Sequence, residues 1–137
     1  MAAPQILYRS DVKLTVEAFT DLLKRSTLAA RRPVNNPQAI QSMLDHGNVL
    51  VTAWDGETLV GISRALSDFS FCCYLSDLAV DEAYQKQGIG KQLIEETHKV
   101  SGEQTMLLLL AAPAAQEYYP KIGMKRFEHC FFIPRKS

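Results

Sequence analysis

Between Phe71 and Ala112 the sequence reads as a strand, a glycine-bearing turn, an amphipathic helix and a second, strongly apolar strand. A connection long enough to carry a helix joins strands that run parallel, and it does so with right-handed crossover. "FCCYLSDLAV" (71–80) supplies the first strand. Ile89, Leu93, Ile94, Thr97 and Val100 recur along one helix face, and Ser101-Gly102 closes that helix. "TMLLLLAA" (105–112) is strand-sized and apolar throughout, the pattern of a strand buried on both faces.

The flanking segments decide what this unit joins. "QILYR" (5–9) reads as a short strand. Val16, Phe19, Leu22 and Leu23 mark a helix within 12–28, with Asp11 as its expected N-cap. "AARRPVNNP" interrupts it, and Asn36-Pro37 opens a second helix that carries Ile40, Met43 and Leu44 and stops near Gly47. "NVLVTAWD" and "ETLVGISRAL" meet at Asp55-Gly56, a strong hairpin signal, and "SDFS" leads into the crossover strand. A short helix over 113–119, a turn at Gly123 and a last strand "HCFFIP" complete the chain. The result is an α+β domain with a mixed sheet, an antiparallel meander followed by a parallel pair. No repeat or composition break divides residues 1–137, so one domain is expected.

Several functions are disfavoured at this level. The 15 basic and 15 acidic residues balance, so no basic excess marks a nucleic-acid partner. No apolar run has the length of a membrane span, and "MAAPQILYRSD" lacks the basic start and apolar core of a signal peptide. Cys72, Cys73 and Cys130 are odd in number and have no metal-ligand spacing. They read as buried apolar residues in a reducing cytoplasm, and no metal is expected.

The glycine turn carries the chemistry. A helix start offers unpaired N–H groups and partial positive charge, which suit phosphate. Glycines there remove side chains that would block the approach, although Gly88 and Gly90 would also serve a tight turn alone. Lys91 is awkward for the helix and sensible beside a phosphate. A P-loop would need glycine where Gln85 stands and Ser or Thr where Gln92 stands. The dinucleotide fingerprint would need glycine at Leu93. Both fail.

What remains is Gln85-x-x-Gly88-x-Gly90 after "LAVDEAY", followed by an amphipathic helix. This resembles the signature of the GNAT superfamily of N-acetyltransferases, and the order of elements matches that fold over essentially the whole chain. "AAQEYYPKIGM" (114–124) is similar to the family's late segment. The resemblance implies a central sheet of six to seven strands with a splayed parallel pair, flanked by about four helices. It implies acetyl-CoA as donor, with the pyrophosphate on Gln85, Lys86, Gln87, Gly88, Ile89, Gly90 and Lys91. The pantetheine arm would pair with the backbone of Leu78, Ala79 and Val80. The family often has Asn where this sequence has Ala112, so that contact is absent or supplied differently.

Direct acetyl transfer needs a neutral amine, donors for the developing oxyanion and a proton for the leaving thiolate. The resemblance assigns the proton to Tyr119, with Tyr118 as its packing neighbour; a core tyrosine bonded to backbone is the alternative. Pro120 disfavours helix at Tyr119 and would shift that side chain. A backbone N–H within 78–80 would meet the oxyanion. The general base stays open: Ser76 and Asp77 are candidates for positioning or deprotonating the amine. Asp77 lies on the opposite strand face from Tyr74 and Ser76 unless a bulge intervenes. His46 belongs at a helix end, His98 faces solvent, and His129 lies in a late turn.

The acceptor would enter beside the early helices, where Arg25, Arg31, Arg32 and Arg64 suit a carboxylate or phosphate; a solvated loop with incidental charge is the plainer account. A small-molecule or peptide amine is the expected acceptor. Protein- or transfer-RNA-directed acetylation and a non-catalytic acyl-CoA sensor are the alternatives. The apolar "CFFI" would permit a homodimer.

Overall fold

The Asp55-Gly56 hairpin sets the sheet. In the computed structural model, which describes residues 5–136, β2 (Val49–Asp55) returns through Gly56, φ 59°, into β3 (Thr58–Ser67). β1 (Ile6–Arg9) pairs antiparallel with β2. β4 (Cys72–Val80) pairs antiparallel with β3, and β5 (Met106–Leu109) lies parallel to β4. The order is β1-β2-β3-β4-β5, the mixed sheet expected of the crossover. The first four residues of the chain, which open the leader reading, lie outside the described residues.

Helices cover both faces. α1 (Val16–Arg25) and α2 (Pro37–His46) lie on one side, where Phe19, Leu22, Leu23 and Ile40 pack against Leu59, Ile62 and Ala79. α3 (Ile89–Ser101) covers the other, packing Ile89, Leu93 and Ile94 on Val49, Val51, Ala65, Cys73 and Leu75. A last short helix, α4 (Tyr118–Lys121), packs Tyr119 against the α3 side. Asn36 caps α2 as expected, its Oδ1 accepting from the Ala39 N–H at 3.1 Å. α1 starts later than expected: Thr15 is the cap, accepting from Ala18 at 3.1 Å, while Asp11 pairs with Arg9.

The sheet has five strands, fewer than the six to seven expected. "HCFFIP" forms no strand, and Phe131, Phe132 and Ile133 are exposed. Its apolar run does not alternate, so pairing would not sort it into a buried and a solvated face. β5 is therefore an edge strand. Met106 is exposed and Leu107 to Leu109 are only half-buried, where burial on both faces was expected. The expected helix over 113–119 is two separate turns, a 3-10 turn at Pro113–Ala115 and then α4. Pro120 does not end the helix at Tyr119. It sits in the first turn of α4, where a missing N–H leaves no helical bond unmade.

Candidate active site

β4 outruns its parallel neighbour. Pairing with β5 ends at Leu75–Leu109, and β4 continues through Ser76 to Val80 without a partner on that side. On the other side Leu78, Ala79 and Val80 remain paired with Ser63, Ile62 and Gly61. The gap opens into a cleft of about 1000 Å³ lined by the end of β4, the glycine turn, the start of α3, α4 and the turn after α1. Ser76, Leu78, Ala79, Val80, Gln85, Lys86, Gly88, Ile89, Gly90, Lys91 and Tyr119 all line it. Asp77 and Gln87 do not.

The two glycines serve different ends. Gly88 holds φ 82° and follows Lys86 at φ 65°, so the chain turns back on itself just before α3. A Cβ on Gly88 would meet nothing within 4 Å, which leaves the space above the helix start open. The N–H groups of Gln87 through Gly90 have no protein acceptor among the described residues. A concave run of unpaired donors at a helix start is an anion cradle, and these residues fit a pyrophosphate. Gly90 instead permits a close approach: a Cβ there would stand 3.0 Å from Tyr118 Oη. The loop before the cradle is fixed by Asp81, which accepts from the Ala83 N–H at 2.8 Å and pairs with Arg25 at 2.6 Å.

A register shift opposite Arg64 and Ala65 leaves Ser76 without a partner on β3. This bulge changes which face β4 presents. Cys73 and Leu75 point toward α3, whereas Asp77 and Ala79 point toward α1 and α2. Asp77 is fully buried, and its two oxygens accept from Nε of Arg32 and Nε of Arg64. Arg32 also donates to the Ser76 carbonyl at 2.7 Å, and Arg64 to Ser76 Oγ at 3.2 Å. Burial of a carboxylate without such partners would be costly.

Tyr118 and Tyr119 stack edge to face with centroids 5.2 Å apart. Burial raises the Tyr119 phenol above its ordinary value of 10.0, and the neighbouring Tyr118 adds to that. Burial raises Tyr118 as well, opposed by the Lys91 N–H at its oxygen. Tyr118 was expected only as a packing neighbour, but it lines the cleft at the helix start. Its signal in the sequence was Gly90, which leaves room for it. Tyr84 also lines the cleft, with Oη donating to Asp55 at 2.6 Å.

The histidines stay apart from the cleft. His46 meets the Ser42 carbonyl at 2.9 Å, and His129 is exposed. His98, expected in solvent, is half-buried with Nε2 at 2.7 Å from the Thr105 carbonyl. Among the described residues no group of three His, Cys, Asp or Glu side chains could hold a metal ion, and no helix is long and apolar enough to cross a membrane.

An α+β sheet splayed at its parallel pair, with a glycine cradle at the crossover helix, defines a class of acyl-transfer folds. The description "Acetyltransferase (GNAT) domain" matches residues 20–131, and the chain belongs to that family. A probable acetyltransferase of Staphylococcus aureus superposes with a TM-score of 0.78 at 22% identity, covering 97% of this chain and 100% of that one. An aminoglycoside N-acetyltransferase in complex with CoA superposes with a TM-score of 0.76 at 14% identity, covering 99% and 98%. At such identities the likeness is one of fold. A soybean (Glycine max) protein named histone acetyltransferase TAP1 is 35% identical over 69 residues, which is 49% of this chain and 30% of that protein. The chain thus spans about a third of that relative.

Proposed function

We propose that residues 1–137 form one N-acetyltransferase domain that moves an acetyl group from acetyl-CoA directly to the primary amine of a small molecule or peptide. The observation that carries this reading is the edge of β4 over Ser76–Val80 that β5 leaves without a strand partner, leading into a cradle of unpaired N–H groups. A long donor with a pyrophosphate and an amide-bearing arm would satisfy both sets of backbone groups at once. The relative crystallised with CoA supports the choice of donor.

Acetyl-CoA supplies a thioester already activated toward amines. Gly88, Ile89 and Gly90 would hold its pyrophosphate, and Leu78 to Val80 its amide groups. A β4 N–H beyond the pairing limit would meet the oxyanion as it develops. In the transfer a carbon–nitrogen bond forms and the nitrogen gives one proton to water, while the carbon–sulfur bond breaks and Tyr119 would give its proton to the leaving sulfur and regain one from solvent. Its raised pKa keeps that proton in place at neutral pH.

The amine must be neutral to attack. The cleft is lined by Arg31, Arg32, Lys86 and Lys91, with no carboxylate and no histidine among the described residues of its walls. With Lys86 and Lys91 answered by the pyrophosphate, Arg31 and Arg32 would still disfavour an ammonium ion, and the amine would lose its proton to water. Of the roles expected for Asp77, positioning is the one its geometry supports, through Arg32. Ser76 acts likewise, through its carbonyl and hydroxyl.

Thermal denaturation with acetyl-CoA and with CoA, followed by thiol release over a panel of amines, tests this reading. Both forms should raise the melting temperature, because a ligand selective for the native state stabilises it. Absence of stabilisation by either would overturn the proposal. Binding without turnover on any amine would instead support an acyl-CoA sensor.

A further inference from the structure

Among the described residues every charged side chain lining the cleft is a cation, and the four fall into two groups. Lys86 and Lys91 flank the glycine cradle, where a pyrophosphate would answer them. Arg31 and Arg32 reach the cleft from the turn after α1. Arg32 joins β4 at the Ser76 carbonyl, next to the point where β4 and β5 part. Its charge is not cancelled, because one carboxylate, Asp77, serves both Arg32 and Arg64. Arg31 has no carboxylate partner among the described residues. Arg25, on the preceding helix, differs: it pairs with Asp21 at 2.8 Å and with Asp81 at 2.6 Å.

The segment that brings these arginines to the cleft is held in a costly conformation. Thr27, a β-branched residue that also lines the cleft, has φ 71°. Side chains of that type adopt the left-handed region only when their surroundings compel it, and such residues gather at ligand sites. The turn carries Arg31 and Arg32 to the cleft wall. Arg31, with no carboxylate partner among the described residues, and Arg32, which shares Asp77 with Arg64, would repel a polycation and would favour an oxyanion.

We infer that the Arg31–Arg32 end of the cleft binds an oxyanion carried by the acceptor, so that the substrate is a small amine bearing a carboxylate or a phosphate. This rests on the acetyl-transfer reading above and narrows it. Polyamines, aminoglycosides and lysine-rich peptides would instead bring further cations to Arg31 and Arg32.

The test compares matched amines at fixed ionic strength, with thiol release as the readout. One arm pairs glycine with glycinamide and β-alanine with its amide. A second pairs phosphoethanolamine with ethanolamine, which separates phosphate from carboxylate. A third uses spermidine and a lysine-rich peptide. Within one pair at least, the anionic member should have about tenfold higher kcat/KM, the effect of one charge-assisted hydrogen bond. In Arg31→Gln that ratio should fall toward one through KM, and Arg31→Lys should restore much of it. Stabilisation by CoA combined with equal or better use of neutral or polycationic amines overturns this inference alone. Should no amine react, the same acids and phosphates are tested for added stabilisation of the CoA-bound protein, and none stabilising also overturns it. Failure of CoA itself to stabilise removes the underlying reading as well.

Discussion

Gly90 lies so close to Tyr118 that a single methyl group on the glycine would stand 3.0 Å from the phenolic oxygen. The contact ties α4 to the first turn of α3, with the Lys91 N–H directed at the same oxygen. Gly90→Ala must therefore push Tyr118 outward, and Tyr119 moves with it through their edge-to-face stack. Helix α3 itself should gain, since Ala is favoured over Gly inside a helix by about 1 kcal/mol. The expected outcome is a protein of equal or higher melting temperature with kcat/KM lowered several-fold. A variant with unchanged activity would show that the Tyr118 position is immaterial.

Gly88 should respond in the opposite sense. No atom crowds its Cβ position, but φ 82° is strained for any L side chain. Gly88→Ala should cost roughly 1–2 kcal/mol of stability, with Gly88→Asn milder because Asn tolerates the left-handed region. Both add atoms over the cradle, so the dissociation constant for CoA should rise in each. Calorimetric titration of CoA against both variants checks this; affinity at the wild-type level would place the pyrophosphate elsewhere.

Asp77→Asn should unfold the protein more easily without removing a catalytic base. The substitution leaves the buried Arg64 guanidinium, and Arg32 beside it, facing an amide donor in place of an anion. Loss of one partner from a buried ion pair costs about 3–5 kcal/mol. The midpoint of urea denaturation should fall accordingly. In the residual folded enzyme, the acidic limb of kcat/KM should still follow the acceptor amine's own pKa. Disappearance of that limb would restore Asp77 as the base.

The sequence made the need for a partner to Asp77 visible but not the partner's identity. A carboxylate in an apolar strand must be paired, yet Arg32 lies 45 positions away along the chain and nothing local announces the contact. The bulge at Ser76 was hidden for the same reason, because register belongs to two strands and only one can be read at a time. Features with local causes were legible: the Asp55-Gly56 turn, the Asn36-Pro37 helix start and the glycines before α3. "CFFI" shows the converse. Its residues suit a strand, but propensity does not supply a neighbour, and β5 keeps an open edge. The crossover made the site readable, since it combines a local turn with a topology that follows from handedness.

Strong acid should weaken the β3–β4 connection. Asp68 accepts from the N–H groups of Phe71, Cys72 and Ser70, and these bonds lower its pKa from 3.8 to about 2. Its folded value lies below its unfolded one. The stabilisation is therefore complete above pH 4 and is lost as pH falls through about 2. The melting-temperature gap between wild type and Asp68→Ala should be constant near neutrality and should narrow between pH 4 and pH 2. A gap unchanged over that interval would mean that the carboxylate's charge contributes nothing to the turn.

Tyr118 and Tyr119 divide two roles, and a pair of phenylalanine variants separates them. Tyr119 is the more buried, packs against the α3 side of the core and lines the cleft. Tyr119→Phe removes a proton donor while keeping the ring, so kcat should fall by about 100-fold, the lower bound for a general acid. CoA affinity should hardly change. Tyr118→Phe removes an oxygen from the helix start, so its effect should appear in CoA affinity more than in kcat. The pH profile gives a second readout. Activity that depends on a protonated Tyr119 must be lost as pH rises through its pKa, and burial places that loss above 10.0. The alkaline limb should be present in wild type and in Tyr118→Phe and absent from the residual activity of Tyr119→Phe. Wild-type kcat in Tyr119→Phe would end its assignment as the acid, and loss of the limb in Tyr118→Phe alone would transfer the role to its neighbour.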